Sequence, residues 1–212
     1  GSLLKQVKNL AGHLKNTEAT GIVAIWLHPD APPNRMIEAI LSLLWAGLGW
    51  LPLNPDEPHE RRLTKIKQSK IEWVLTDGTA DDAYLNTLNT VTIDGAFTNY
   101  PMEAPKLVSR GTPAYLLHTS GSTGAPKGII QTRGMLWNLI AWQLSDLPMS
   151  SGDRVLQYSP FSFDVSMQEL LCSIASGATL VLPDSSKRQD YVQLLETIRR
   201  FKITHLFCPA FA

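Results

Sequence analysis

The sequence predicts an α/β fold of mostly parallel sheets with helices packed on both sides. Short β-branched or apolar runs alternate with amphipathic stretches along the chain, which is typical of that class. Hydrophobic residues make up 44% of the chain and charged residues 18%, so a disordered chain is not expected. At 212 residues the chain can bury about 70% of its unfolded surface without a disulfide or metal.

The first half predicts strand, helix, strand, helix and strand in that order. These elements are expected at 21–27, 35–46, 50–53, 60–68 and 71–75. Met36, Ile37, Ile40, Leu41 and Leu44 recur at helical spacing, and Gly47 is expected to end their helix. Asn54 and Pro55 end the second strand.

A connector with at most short strands is expected at 77–110, where Asp-Gly pairs, Asn, Thr and Pro interrupt the pattern. A second α/β half follows, with strands expected at 114–118, 154–158, 178–182 and 203–207. Helices are expected at 135–144, at 166–176 and around 191–198. The sequence therefore predicts two lobes, 1–110 and 111–212.

Composition excludes several classes of function. Nineteen basic residues balance nineteen acidic ones, which removes the main electrostatic argument for nucleic acid or an anionic membrane. Cys172 and Cys208 are far apart and form no CxxC motif, so no metal site is expected. No apolar run reaches the roughly 20 residues of a membrane span, and no secretory signal is visible. We expect a cytoplasmic protein.

The strongest chemical signal is the run TSGSTGAPKG, which directly follows an apolar strand. Gly121, Gly124 and Gly128 let the backbone approach a ligand and turn its N–H groups inward. Hydroxyl side chains add donors, Lys127 adds a positive charge, and no carboxylate repels an anion. A polyphosphate fits this loop.

The run is not a Walker A loop, because Pro126 and Gly128 stand where that motif needs glycine and a hydroxyl residue. An ordinary polar turn is the alternative. Ten residues in this order, ending in Pro-Lys-Gly, favour the phosphate loop.

The loop resembles that of the adenylate-forming enzymes, and within them the adenylation domains of nonribosomal peptide synthetases. Three further segments are similar in the family's order: the opening helix at 3–14, the LPLNPDEP segment with ERRL at 45–63, and FSFDVS followed by SGATL at 161–180. The resemblance covers nearly the whole chain and implies part of the large N-terminal domain of such an enzyme.

The resemblance implies a ligase of secondary metabolite biosynthesis that activates an amino acid with ATP and Mg²⁺ to aminoacyl-AMP and pyrophosphate. The acyl group would pass to the phosphopantetheine thiol of a peptidyl carrier protein. ATP would be held by residues of the loop: Thr119, Ser120, Gly121, Ser122, Thr123, Gly124 and Lys127. The resemblance places the catalytic Lys beyond residue 212, so the chain is expected to be inactive without the rest of its domain.

The matching pocket residues are Asp164, Val165, Gln168 and Phe207. Asp164 lies among apolar neighbours, where a carboxylate needs a partner, and the resemblance assigns it the α-ammonium of the substrate. Its alternative role is a helix N-terminal carboxylate, with Ser166 and Glu169 forming a capping box. Asp164 and Gln168 are four residues apart, so one helical turn brings them together.

The combination Asp, Val, Gln and Phe resembles domains that select proline or a methylated proline. A compact apolar wall with one amide suits a small cyclic imino acid. The alternative is that Val165, Gln168 and Phe207 are packing residues, and other α-amino acids stay open.

Two residues depart from the family pattern. His118 stands where the family usually has Tyr, and a strand-end histidine is more often structural. Arg133 stands where many members carry His, and Arg cannot act as a base near neutral pH. Another acyl-CoA or aryl-acid ligase, or a non-catalytic assembly module with the same fold, remains the alternative.

Overall fold

The computed structural model describes residues 1–78, 83–94, 104–119, 127–183 and 190–208. The chain divides into two compact units, Gly1–Met135 and Leu136–Ala212. None of the helices in the described ranges is both long enough and apolar enough to cross a membrane.

The first unit contains three helices and a six-stranded sheet. The helices are α1 (Ser2–Lys15), α2 (Asn34–Ala46) and α3 (His59–Gln68). The strands are β1 (Ile22–Trp26), β2 (Gly49–Pro52), β3 (Trp73–Thr76), β4 (Asn89–Thr92), β5 (Pro113–Thr119) and β6 (Lys127–Thr132). A short 3₁₀ turn, Leu85–Thr87, precedes β4.

The strand order is β4-β3-β1-β2-β5-β6, and every pair except β5 with β6 is parallel. From β1 the chain crosses to β2, the neighbour on one side of β1 in the sheet. From β2 it crosses to β3, the neighbour on the other side of β1. Because such crossovers are right-handed, this reversal places α2 and α3 on opposite faces of the sheet. The prediction of a mostly parallel sheet covered on both faces is confirmed.

Buried side chains on both faces hold this sheet together. On one face Ala24 and Trp26 of β1 pack with Leu63 and Ile66 of α3. Val23 and Ile25 are equally buried and alternate to the other face, since successive side chains of a strand point oppositely. α2 contacts β1 and β2, and α1 packs on α2.

The second unit is smaller. Helix α4 (Arg133–Asp146) begins in the first unit and continues into the second. It is followed by β7 (Arg154–Leu156), α5 (Val165–Ser176), β8 (Thr179–Val181) and α6 (Tyr191–Phe201). β7 and β8 pair in parallel.

Two elements differ from the sequence prediction. The strand expected at 203–207 is reduced to one parallel bridge between His205 and Val155, although the Thr204 N–H also donates to the Arg154 carbonyl oxygen of β7. Strand β6 was not predicted, since its first four residues are exposed and carry no core pattern. It pairs with β5 in antiparallel register and is the edge strand of the sheet.

The predicted lobe boundary at 110/111 also differs from the division into units. β5 and β6 belong to the six-stranded sheet of the first unit, and the division falls after Met135. The reason is that β5 returns to pair with β2, Tyr115 lying opposite Trp50.

Candidate functional site

The predicted phosphate loop joins β5 to β6. Thr119, the last residue of β5, lies opposite Lys127, the first residue of β6, in antiparallel register. Residues 120–126, with Ser120, Gly121, Ser122, Thr123 and Gly124, lie outside the described residues. The loop therefore starts at the carboxyl end of β5, which is the edge where open α/β sheets bind their ligands.

Thr119 and Lys127 are both exposed, so a hydroxyl and an ammonium group are available at the base of this loop. Gly128, predicted as a loop glycine, is a strand residue opposite His118. A Cβ on Gly128 would lie 3.0 Å from Leu116 Cδ1 and 3.5 Å from His118 Nε2. This glycine therefore makes room for the Leu116 side chain, while the distance to His118 is an ordinary van der Waals contact.

His118, near the end of β5, contacts another segment of the first unit. Its Nε2 lies 3.2 Å from Ser69 Oγ, at the end of α3. Its Nδ1 is buried and has no hydrogen-bond partner among the described residues. Burial first, and the nearby Lys65 ammonium second, lower the pKa of His118 from 6.5, while the Glu57 carboxylate opposes them. A structural role fits these contacts.

Lys65 of α3 is buried, unlike Lys67 on the same helix, which is exposed. The Lys65 side chain is only 6% exposed, and its Nζ lies 2.7 Å from Glu57 Oε1. The ion pair neutralises two charges next to the sheet, because a buried ammonium is costly without a carboxylate partner.

Arg133 also has a structural environment. At the start of α4 its Nη2 donates to the Leu48 carbonyl oxygen at 2.5 Å. The guanidinium carbon lies 5.6 Å from the centre of the Trp50 ring. Burial lowers the pKa of Arg133 to about 10. The guanidinium therefore joins α4 to the segment before β2, which fits the structural role left open by the sequence.

Asp164 begins α5 as its N-cap, and its Oδ1 accepts a hydrogen bond from the Val165 N–H at 2.9 Å. The apolar environment expected for Asp164 is wrong: the residue is exposed, and the neighbouring Phe163 is 61% exposed. Asp164 thus caps the helix and keeps an accessible carboxylate. Its Oδ2 can still bind a cation.

The predicted capping box is also wrong. Ser166 is buried in the first turn, and its hydroxyl donates to the Phe163 carbonyl oxygen at 2.5 Å. Glu169 is fully buried and accepts from the Ser159 N–H at 3.1 Å. Glu169 therefore fixes the chain segment that leads into α5, a contact ten residues apart that the local pattern could not show.

The other three predicted pocket residues lie in the same unit as Asp164. Val165 and Gln168 are half-buried on the first turns of α5, and Phe207 is half-buried further along the chain. Phe207 packs on the cluster formed by Met149, Val155 and Cys172. Asp164, Val165 and Gln168 are thus brought together by helical spacing, whereas Phe207 contacts the core beneath them.

Gln168 has a partner that sequence reasoning missed. Its Nε2 donates to Oε1 of Gln143, a fully buried residue of α4. The available signal was one glutamine within an otherwise apolar run in the second half of α4. Among the described residues, no three His, Cys, Asp or Glu side chains gather as metal ligands.

A family model described as AMP-binding enzyme matches residues 1–211. The chain belongs to this family. This confirms the resemblance that the phosphate loop and the three further segments indicated. The chain is part of an adenylate-forming enzyme. Proteins with similar sequences include peptide synthetases.

Phosphinothricin tripeptide synthetase PhsB of Streptomyces viridochromogenes is 36% identical over 166 residues, covering 74% of this chain and 14% of PhsB. Nonribosomal peptide synthetase TES of Alternaria alternata is 32% identical over 183 residues, covering 84% of this chain and 4% of TES. The chain thus spans a small part of either relative.

The solved structure of O-succinylbenzoate coenzyme A synthetase (MenE) from Bacillus subtilis, in complex with ATP and magnesium ion, shares the fold. It has a TM-score of 0.76 and 23% identity, and the match covers 96% of this chain and 55% of MenE. The chain therefore has the fold of the N-terminal domain of an adenylate-forming enzyme.

Proposed function

We propose that the chain is the N-terminal part of an amino-acid adenylation domain of a nonribosomal peptide synthetase. The domain activates an α-amino acid with ATP to aminoacyl-AMP and pyrophosphate, and passes the acyl group to a carrier-protein thiol. The names of relatives at 32–36% identity support a peptide synthetase. The observation that carries the amino-acid part is the accessible carboxylate of Asp164 at the start of α5.

The Asp164 carboxylate suits an ammonium ligand. The carboxylate already accepts one hydrogen bond from the helix N-terminus and keeps lone pairs for a second donor. A charge-assisted hydrogen bond to a protonated amine is about twice as strong as a neutral one. An acid without an ammonium group gains nothing from this carboxylate.

For the nucleotide, the proposal uses the loop between β5 and β6. Thr119 and Lys127 offer a hydroxyl and an ammonium group at its two ends, which suit phosphate oxygens. Ser120, Gly121, Ser122, Thr123 and Gly124 would supply backbone and hydroxyl donors between them. Magnesium would be held mainly through the phosphates, where it neutralises charge, and a loop hydroxyl oxygen could serve as a further ligand.

Proline is the substrate we propose within this class. In this proposal Val165 and Phe207 would supply an apolar wall of the pocket, and Gln168 would supply one amide. A secondary ammonium on a small ring needs few polar contacts and a compact apolar surface.

An acyl- or aryl-CoA ligase is the second candidate, and the fold shared with MenE favours it. Such a ligase would not depend on the charge of Asp164. A non-catalytic module with the same fold would bind neither ATP nor an amino acid.

Substitution of Asp164 separates its two roles in the intact adenylation domain. Asp164→Asn keeps an oxygen that accepts from the Val165 N–H but removes the charge, whereas Asp164→Ala removes both. We expect Asp164→Asn to keep the unfolding midpoint and to lower kcat/KM for proline in ATP–pyrophosphate exchange about 10- to 100-fold. Wild-type exchange by Asp164→Asn would exclude the ammonium role, and exchange driven only by acids without an amine would favour the CoA ligase.

Substitution of Lys127 tests the nucleotide part. We expect Lys127→Ala to lower kcat/KM for ATP about tenfold or more with an unchanged melting temperature, because the side chain is exposed. Lys5→Ala, at an exposed lysine of α1, is the matched control and should leave exchange unchanged. The chain of residues 1–212 by itself should show little exchange.

A further inference from the structure

Gln143 of α4 is a fully buried glutamine that makes two side-chain hydrogen bonds. Its Nε2 donates to the Leu147 carbonyl oxygen at 3.2 Å, just beyond the end of α4. The Leu147 N–H donates in return to the Gln143 carbonyl oxygen at 3.0 Å. The Gln143 side chain is therefore anchored to the backbone at the end of its own helix.

The anchor fixes which end of the Gln143 amide faces α5. A backbone carbonyl only accepts, so the amide must present Nε2 to Leu147 and Oε1 to the other side. Gln168 lies on that side, and its Nε2 donates to Gln143 Oε1. The reversed arrangement would place two donors or two acceptors against each other, which is costly for a buried group.

The hydrogen bond from Gln168 to Gln143 also fixes the orientation of the Gln168 amide. With its Nε2 bound to Gln143, Gln168 presents Oε1 as an acceptor, and no described residue donates a hydrogen bond to that oxygen. Gln168 lies one helical turn from the exposed Asp164 on α5. The start of α5 thus carries two acceptors, one charged and one neutral.

We propose that Gln143 is a positioning residue for substrate selection, which holds Gln168 as an acceptor for the amine of the bound amino acid. This inference rests on the proposed function. The ligand it fits is a protonated amine with two N–H groups, one for Asp164 and one for Gln168. A secondary ammonium has two such donors and a primary one has three, whereas a carboxylic acid without an amine has none.

The test uses ATP–pyrophosphate exchange by the intact adenylation domain, with KM measured separately for the amino acid and for ATP. Gln143→Met keeps the length of the side chain but lets the Gln168 amide rotate. We expect it to raise the amino-acid KM about tenfold and to leave the ATP KM within about twofold. In a Gln168→Met background it should add nothing, since the acceptor is already gone.

Gln157→Met is the matched control, because Gln157 is equally buried in the same unit and its Nε2 contacts Ser159 and Glu169 instead of Gln168. It should lower the melting temperature without raising the amino-acid KM. Gln143→Glu is the second variant if Gln143→Met does not fold. When protonated, its carboxyl donates to the Leu147 carbonyl oxygen and keeps an acceptor toward Gln168, so the amino-acid KM should stay within about threefold of wild type.

Several outcomes would overturn the inference. An unchanged amino-acid KM in Gln143→Met, an equal rise in Gln157→Met, or additive effects in the double variant would each show that Gln143 only supports packing. An equal rise in Gln143→Glu and Gln143→Met would do the same. Absence of exchange by the wild-type domain with any amino acid would reject the proposed function itself, and the inference with it.

Discussion

At the scale of single residues, His118 and Arg133 are held by contacts that local sequence does not show. His118 meets Ser69, 49 positions away, and Arg133 meets Leu48, 85 positions away. The sequence favoured a structural histidine at the strand end and left a structural arginine open. The partners could not be predicted, because each depends on how the strands order themselves in the sheet.

The environment of His118 makes stability depend on pH. Its pKa in the folded protein is lowered from 6.5, so the unfolded chain takes up the proton first as the pH falls. The contribution of the neutral imidazole is present above pH 6.5 and is lost as the pH falls toward the folded pKa. We expect urea midpoints to fall less steeply from pH 7 to pH 5 in His118→Gln than in wild type. Parallel pH profiles of the two proteins would contradict this.

Removal of the Arg133 guanidinium should destabilise the first unit. Arg133→Met leaves the Leu48 carbonyl without this donor, which costs about 1–3 kcal/mol in the free energy of unfolding. Arg61→Met, at an exposed arginine of α3, is the control and should change it by about 0.5 kcal/mol or less. Chemical denaturation of both variants measures the difference, and equal losses would show that the Leu48 contact contributes little.

At the scale of elements, the helices follow their sequence patterns most closely. α2 ends at Ala46, as Gly47 predicted, and α5 ends before Gly177. Both glycines adopt the left-handed conformation, with φ of 80° and 75°. The start of α5 was harder to predict, because Asp164 and Ser166 both have side chains that can cap a helix. In the structure Asp164 is the N-cap, and Ser166 is buried in the first turn.

These two glycines give a matched pair of substitutions. A Cβ on Gly47 would lie 3.0 Å from Lys106 Cδ and from Val108 Cγ1, whereas on Gly177 it would lie 3.8 Å from Ser151 Cβ. Gly177→Ala should cost about 1 kcal/mol for the left-handed backbone alone, and Gly47→Ala about 2 kcal/mol because side chains must also move. Urea denaturation and hydrogen exchange of the helix-end amides measure the loss of stability in each variant. Equal losses would show that Lys106 and Val108 move aside at no cost.

At the scale of the whole molecule, several large apolar side chains face solvent. Trp137 is 60% exposed and Trp142 47%, both on α4, and Ile129 and Ile130 of β6 are 46% and 52% exposed. Apolar groups of this size at the surface favour association.

The chain of residues 1–212 should therefore self-associate as its concentration rises. The double variant Trp137→Gln/Trp142→Gln should reduce the mean mass found by sedimentation, whereas Leu107→Gln should not. Leu107 is 95% exposed and lies outside the helices and strands. Loss of association in the Leu107 variant alone, or monomers at every concentration, would refute this expectation.

The α/β class, the order of most helices and strands, the family, and the candidate residues Asp164, Lys127 and Gln168 could all be predicted from the sequence. Periodicity, glycine stops and a contiguous loop motif are local properties, and each is present in a short stretch of chain. Four features became visible in the three-dimensional fold: the pairing of β6 with β5, the single bridge in place of the last strand, the exposure of Asp164 and the Gln143–Gln168 contact. These depend on which distant segments meet and how much solvent they exclude.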